Sequence, residues 1–361
     1  MIEATQNEYV PDSVSAPGET LEEVLQMRSM SQADLAERTG RPKKTINEII
    51  KGRTAITAET ALQFELVLGI PAAFWTSREQ HYRGALARSK EMTSLEGEAA
   101  WLKQIPYRAM VNLGWLKEET QKSRKVQQLL MFFGVASPER WEQLRSRQEA
   151  AFRCSPTLKS DPGAIAAWLR KGELDAQKIQ SANYEPARFK EALLYVRGLT
   201  RNLPLNFASL VVKECSAAGV RVVFVPELPG TRAWGATRWL NATTALVQLS
   251  LRYKTDDHLW FTFFHEAGHI LLHGRRDYFV EADDQHENTK ESEADSFALE
   301  WLIPRKQYTV FRRLGAYSCG AINRFAYQLD IAPGIIVGHL QHEGLLPHNR
   351  CNELKKPITF G

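Results

Sequence analysis

"FFHEAGHILLHG", residues 263–274, sets two histidines four positions apart, with a glutamate directly after the first, inside a run that otherwise has the apolar texture of a buried segment. A helix rises about 1.5 Å per residue with about 3.6 residues per turn, so His265 and His269 share one face, one turn apart. Two imidazoles placed this way can share a single zinc ion, and Glu266 points aside toward the ion's open position, where it can act as a general base. The competing reading is a chance pair of core histidines. It asks nothing of the rest of the chain, whereas zinc requires a third protein ligand.

That ligand is sought in "KESEADSFALEWLIP", residues 290–304, a helical stretch stopped by Pro304 with an apolar stripe of Ala294, Ala298, Trp301 and Leu302. At roughly 100° per residue Glu291 continues the stripe inward, so it is the expected third ligand; Glu293 points away and reads as a solvated surface carboxylate. Asp295 is placed to hydrogen-bond a ligand histidine and fix its tautomer. His273 lies two turns, roughly 12 Å along the axis, from His265. One ion cannot take both, and His273 reads as structural or as rim.

Gly268 leaves room for another element to pack close, and Thr255-Asp256-Asp257 makes a helix start with acid at the positive end of the dipole. Burial of Phe261, Phe264 and Leu272 is expected to hold the ligands. For the oxyanion of a hydrolysis the candidates are His342, Tyr278 and Arg232, with His342 ahead. Before this helix, "VRVVFVPEL", "GATRWL" and "TALVQLS" are β-rich runs separated by turn signals. An exposed edge among the strands around 235–250 is expected to take an extended polypeptide by strand addition.

The opposite end of the chain carries a second pattern. In "SQADLAERTGRPKKTINEIIKG", residues 31–52, Ser31 is an N-cap, Gly40 a helix stop and Pro42 a helix start, which is the layout of a helix-turn-helix. Ala36, Ile46 and Ile49 or Ile50 supply the packing between the two helices. The second helix then turns its polar side chains outward. Between Arg41 and Arg53 stand five basic residues against one acid, Glu48. Lys43, Lys44 and Asn47 suit base edges of a major groove, Ser31, Gln32, Lys51 and Arg53 suit phosphates, and Arg41 and Thr45 are further candidates for DNA contact. The competing reading is a helical pair with a solvated basic face.

Size and composition allow both patterns in one chain. At 361 residues two or three domains are expected, and 43% hydrophobic with 24% charged residues is ordinary for a globular protein. The net charge of +4 is too mild to argue for nucleic acid by itself. Four scattered cysteines, Cys154, Cys215, Cys319 and Cys351, form no CxxC pair and fit reduced thiols. The opening "MIEATQNEY" shows no export signal, and "LLMFFGVA" at 129–136 is too short to span a bilayer, so a cytoplasmic protein without membrane contact is expected.

Residues 1–17 read as a flexible arm and 18–83 as a run of four or five short helices. Residues 84–204 read as a helical middle region anchored by Trp101, Trp115, Trp141 and Trp168 and broken at Gly134, Pro138 and Asp161. Residues 205–361 read as α+β with a small sheet.

Two family resemblances bear on these readings. "PGETLEEVLQ", "SQADLAERTG", "INEIIKGRTAITAETA" and "LGIPAAFW", between Pro17 and Tyr82, resemble the HigA-type antitoxins of the XRE helix-turn-helix class. That resemblance implies a homodimeric repressor on double-stranded operator DNA, often with a ribonuclease toxin as partner. "HEAGHILLHG", "ESEADSFALEWLIP" and "IAPGIIVGHLQHEGLLP" resemble the ImmA/IrrE metallopeptidases. This second resemblance implies a zincin-like domain with His265, His269 and Glu291 on Zn2+ and Glu266 as catalytic base, acting on a protein substrate such as a repressor or antitoxin. The alternative is an antitoxin-like repressor whose metal domain senses or binds without cleaving.

Overall fold

The computed structural model describes residues 15–152, 161–250, 252, 255–274, 279–282 and 289–358, the side chains of 147–152 and 280–282 excepted. The chain divides into two compact units, Met1–Gly97 and Glu98–Gly361.

In the first unit the helices are α1 (Pro17–Met27), α2 (Gln32–Thr39), α3 (Lys43–Ile50), α4 (Ala58–Leu68) and α5 (Ala72–Gly97). Ser31 caps α2, its hydroxyl accepting from the Asp34 amide at 3.1 Å, and Gly40 ends the helix in the left-handed region at φ 66°. Pro42 is the N-cap of α3, one position earlier than a first-turn proline. Leu21, Leu35, Ala36, Ile46, Ile49, Phe64 and Trp75 form the core, with Ile50 only packed against it. A Cβ on Gly18 would stand 2.3 Å from the Ile49 carbonyl oxygen, which is how closely α1 meets α3. Helix α5 runs unbroken through Arg83 and Gly84.

The second unit opens with a 3-10 turn (Glu98–Gln104), then α6 (Tyr107–Asn112), α7 (Lys122–Phe133), α8 (Pro138–Phe152), α9 (Pro162–Ala176), α10 (Pro186–Arg201) and α11 (Phe207–Ala217). Trp101 and Trp141 meet edge to face at 5.4 Å, Gly134 caps α7, and Asp161 caps α9 through its side chain. Trp168 is fully buried, and Trp115 is half-buried. Strands β1 (Val220–Phe224), β2 (Ala233–Asn241) and β3 (Thr244–Leu249) follow, then α12 (Asp256–Leu272), β4 (Phe279–Ala282), α13 (Thr289–Leu302), α14 (Arg305–Arg313), α15 (Cys319–Leu329) and α16 (Pro333–His342).

The sheet order is β1-β3-β2-β4, with β1 parallel to β3 and the other pairs antiparallel. Because successive strand residues face opposite ways, Val220, Val222, Ala245, Val247 and Leu249 join one core with α10, α11, α12 and the last helices. Val223, Val225, Ala236 and Leu246 join another under Trp168 and Leu169 of α9. Helices therefore cover both faces. Among the described strands β2 and β3 are both interior and β1 and β4 are the outer ones, so the edge expected around 235–250 is covered by β4 where it pairs with Ala233–Thr237.

The start of α12 is clamped by the segment that follows α16. Asp256 is buried and its Oδ1 accepts from the Lys356 amide at 2.9 Å, the Asp256 amide donates to the Lys356 carbonyl at 3.0 Å, and Lys355 Nζ lies 2.6 Å from Asp257 Oδ2. Cys351, at the head of this segment, is disulfide-bonded to Cys319 with their Cα atoms 5.5 Å apart. This corrects the expectation of reduced thiols for that pair: a separation of 32 residues hides a contact made by the turn between α15 and α16 and the return of the chain. Cys215 is free and buried, and Cys154 lies outside the described residues. Among the described residues no helix is long and apolar enough to cross a membrane.

Two outcomes follow. Loop-closure entropy for a separation of 32 residues predicts that Cys319→Ser lowers stability by about 3–4 kcal/mol under non-reducing conditions, to be measured by urea unfolding. Burial first, then the Asp257 charge, raises the Asp256 carboxyl to about 6 against the pull of the Lys356 amide. A raised folded-state value stabilises below the unfolded value, near 4, and that stabilisation is lost as pH rises through about 6. Thermal unfolding should therefore show Asp256→Asn gaining on the wild type between pH 4 and 7.

Candidate functional site

Helices α12 and α13 pack against each other where Gly268 meets α13: a Cβ on Gly268 would stand 3.1 Å from Phe297 Cδ1 and 3.2 Å from Ala294 Cα. Ala294, Ala298 and Leu302 are fully buried on the inward stripe, with Trp301 half-buried. This approach carries Glu291 onto the two histidines. His265 Nε2 lies 3.0 Å from Glu291 Oε2, His269 Nε2 lies 3.0 Å from His265 Nε2, and His269 Nε2 lies 3.3 Å from Glu291 Oε2. The three residues are 1%, 2% and 5% exposed.

The direction of the hydrogen bonds says what this triangle holds. His265 Nδ1 faces Asp295 Oδ1 at 2.8 Å, and a carboxylate only accepts, so Nδ1 carries a hydrogen and in the neutral ring Nε2 is a lone pair. Burial raises the Glu291 carboxyl, but the two imidazoles beside it outweigh that and hold it at about 2. Burial, with the neighbouring His265, pulls His269 down to about 4 against the pull of the Glu291 carboxylate. An anionic oxygen and at least one nitrogen lone pair thus converge in a dry site. Donor atoms at about 2.0–2.1 Å from a tetrahedral ion stand about 3.3 Å from one another. The nitrogen and oxygen donors fit zinc in type, number and spacing.

Glu266 is fully buried on the neighbouring face. Its carboxylate fits against β2 because residue 235 is glycine: a Cβ there would stand 2.4 Å from Glu266 Oε1 and 2.7 Å from Thr262 Cγ2. The Glu266 carbonyl accepts from Thr237 Oγ1 at 3.2 Å, tying α12 to the same strand. Phe279 of β4 stacks on the His269 ring at 3.8 Å between centroids. Neither Gly235 nor Phe279 was singled out from sequence. A glycine heading a strand run is the usual sign of a close backbone approach and marks Gly235 in hindsight; nothing local marks Phe279.

The remaining candidates fall differently. Phe264 is buried, but Phe261 is half-buried and Leu272 is 49% exposed, because the end of α12 lies at the surface; Leu272 does not brace the ligands. Glu293 is largely exposed, with its Oε2 3.0 Å from His273 Nε2. His342 is exposed at the end of α16, Arg232 is exposed at φ 50°, and among the described residues no hydrogen bond or ion pair joins either to the triangle. Tyr278 lies outside the described residues.

In the helix-turn-helix, Lys43, Lys44, Lys51 and Arg53 are exposed, while Thr45 and Asn47 are half-buried. Asn47 Nδ2 donates to Gln32 Oε1 at 3.3 Å, which links α2 to α3. Arg41 is turned onto α4, where it hydrogen-bonds Gln63 and lies 3.3 Å from Glu59. It is the least available of the basic residues in this stretch. Ser31 remains exposed although its hydroxyl caps α2.

A helix-turn-helix family model matches residues 21–75, and the model of the IrrE N-terminal-like domain, a peptidase family, matches residues 215–318. The chain joins an XRE-type helix-turn-helix domain to an IrrE-like peptidase domain. Among solved structures, a HigA-family addiction module antidote protein from Coxiella burnetii is 31% identical, covering 24% of this chain and 94% of that one with a TM-score of 0.22. The antitoxin HigA of Pseudomonas aeruginosa, solved with the higBA promoter, is 28% identical over 24% of this chain and 95% of that one, with a TM-score of 0.23. A search of curated proteins gave no match.

The close approach at residue 235 yields a test within the IrrE-like domain. Gly235→Ala forces a methyl group against the Glu266 carboxylate, and overpacking of this kind costs about 1–3 kcal/mol. Urea unfolding should show that loss; a midpoint equal to that of the wild type contradicts the packing.

Proposed function

We propose that this chain is a DNA-binding transcriptional regulator whose IrrE-like domain is a zinc-dependent endopeptidase acting on a protein partner such as a repressor or antitoxin. The observation that carries the enzymatic half is the convergence of His265, His269 and Glu291 within 3.0–3.3 Å, with Glu266 next in sequence to the first ligand. Zinc held there would supply a Lewis acid and bring a water molecule's pKa toward neutrality. Glu266 would take the proton from that water and pass it to the leaving amine. Asp295 keeps the His265 lone pair turned to the ligand side by holding the hydrogen on Nδ1.

For the DNA half, the exposed Lys43, Lys44, Lys51 and Arg53 supply the cationic face. Thr45 and Asn47 stand on the same short helix, where base edges can be read. The protein would act as a cytoplasmic homodimer on a two-fold operator, matching two half-sites with two copies of α3. A ribonuclease toxin is a further partner that the HigA-like sequence suggests.

One observation favours a second reading, in which the metal domain binds or senses without cleaving. Glu266 is fully buried, and a base has to meet water and substrate. Glu266→Gln separates the two readings. As an endopeptidase the chain should lose cleavage of its co-purified partner by about 10²-fold or more, with operator binding unchanged; as a binding module it should behave like the wild type in both assays. Lys51→Ala should weaken operator binding evenly across sequences and lower the salt slope by about one, measured by titration of upstream DNA at several salt concentrations. An unchanged slope removes Lys51 from the interface.

A further inference from the structure

His273 ends α12, and its side chain is only 3% exposed although one-ion geometry gives it no place among the ligands. Its Nδ1 lies 2.9 Å from His269 Nδ1, on the side of that ring away from Nε2, and its Nε2 lies 3.0 Å from Glu293 Oε2. These two contacts fix a direction. The Glu293 carboxylate can only accept, so His273 Nε2 donates to it, and in that tautomer His273 Nδ1 is an acceptor. His269 Nδ1 must then donate to His273, which leaves His269 Nε2 as a lone pair aimed at the triangle with His265 and Glu291. The Phe279 ring, 14° from parallel to His269, holds the plane in which this happens.

We propose that His273, backed by Glu293, is a positioning residue that sets the tautomer and ring orientation of His269 for the cation. This rests on the metal-centre reading above. The other histidine reaches a carboxylate directly, through Asp295, whereas His269 reaches one through an intervening imidazole. Packing alone is the competing account, since His273 also lies 5.2 Å from the Phe279 ring. An apolar side chain would preserve packing. It would not accept a hydrogen bond.

The test is zinc affinity of the full-length chain, read by competition with a chromophoric chelator. His273→Leu should lower affinity about 10–100-fold, the range for loss of a group that orients a ligand histidine. His273→Gln, whose amide oxygen can accept from His269, should recover most of that loss. Glu293→Ala, at an exposed position that leaves folding intact, should weaken binding in the same direction by about twofold or more. Nitrogen-15 spectra of the histidine rings should show His273 with its hydrogen on Nε2. Equal losses in the Leu and Gln variants, a Leu variant within about twofold of wild type, or a hydrogen on His273 Nδ1 would each overturn the proposal. A wild-type chain that takes up no zinc overturns the metal centre and the relay together, whereas tight wild-type binding left intact by His273→Leu overturns the relay alone.

Discussion

Lone pairs do not gather in a dry interior without something between them. His265 Nε2, His269 Nε2 and Glu291 Oε2 stand within 3.0–3.3 Å of one another in a site almost closed to solvent. Burying one unpaired charge costs several kcal/mol, and a carboxylate facing nitrogen lone pairs adds repulsion to desolvation. A shared cation would remove both costs. Much of the second unit is arranged so that this meeting can occur: a glycine in α12 lets α13 approach, a glycine in β2 makes room for the adjacent Glu266, and an aromatic ring from β4 lies flat on His269.

The helix that presents the histidines is fixed at both ends by polar contacts. At its start the buried Asp256 and Asp257 are held by Lys355 and Lys356 in a segment tied back through the Cys319–Cys351 disulfide. At its end His273 meets Glu293 of α13. Between them, Phe263, Phe264 and Ala267 sit in the larger core with strands β1 and β3. A site on a helix held at both ends keeps its geometry better than one on a loop, and shared coordination requires that.

Legibility in the sequence followed the range of the interactions. The spacing of His265 and His269, the inward phase of Glu291 and the reach of Asp295 are properties of single helices, and periodicity carries them. The caps at Ser31 and Gly40 and the Ala36–Ile46–Ile49 packing are likewise local. What was misjudged or unseen depended on distant chain segments. Strand order put β2 and β3 inside the sheet, the return of the chain after α16 paired two cysteines, and α4 drew Arg41 away from the exposed face. Gly235 and Phe279 matter only because other elements bring Glu266 and His269 to them. The middle helices offered no motif, and α9 proves to cover one face of the sheet.

X-ray absorption at the zinc edge, on full-length chain loaded with one equivalent of the metal, examines the donor set itself. The account predicts a first shell of imidazole nitrogen and carboxylate or water oxygen at about 2.0–2.2 Å, with the outer-shell pattern of two histidine rings. A shell containing sulfur at about 2.3 Å, or zinc that washes away without leaving a bound edge, would contradict it.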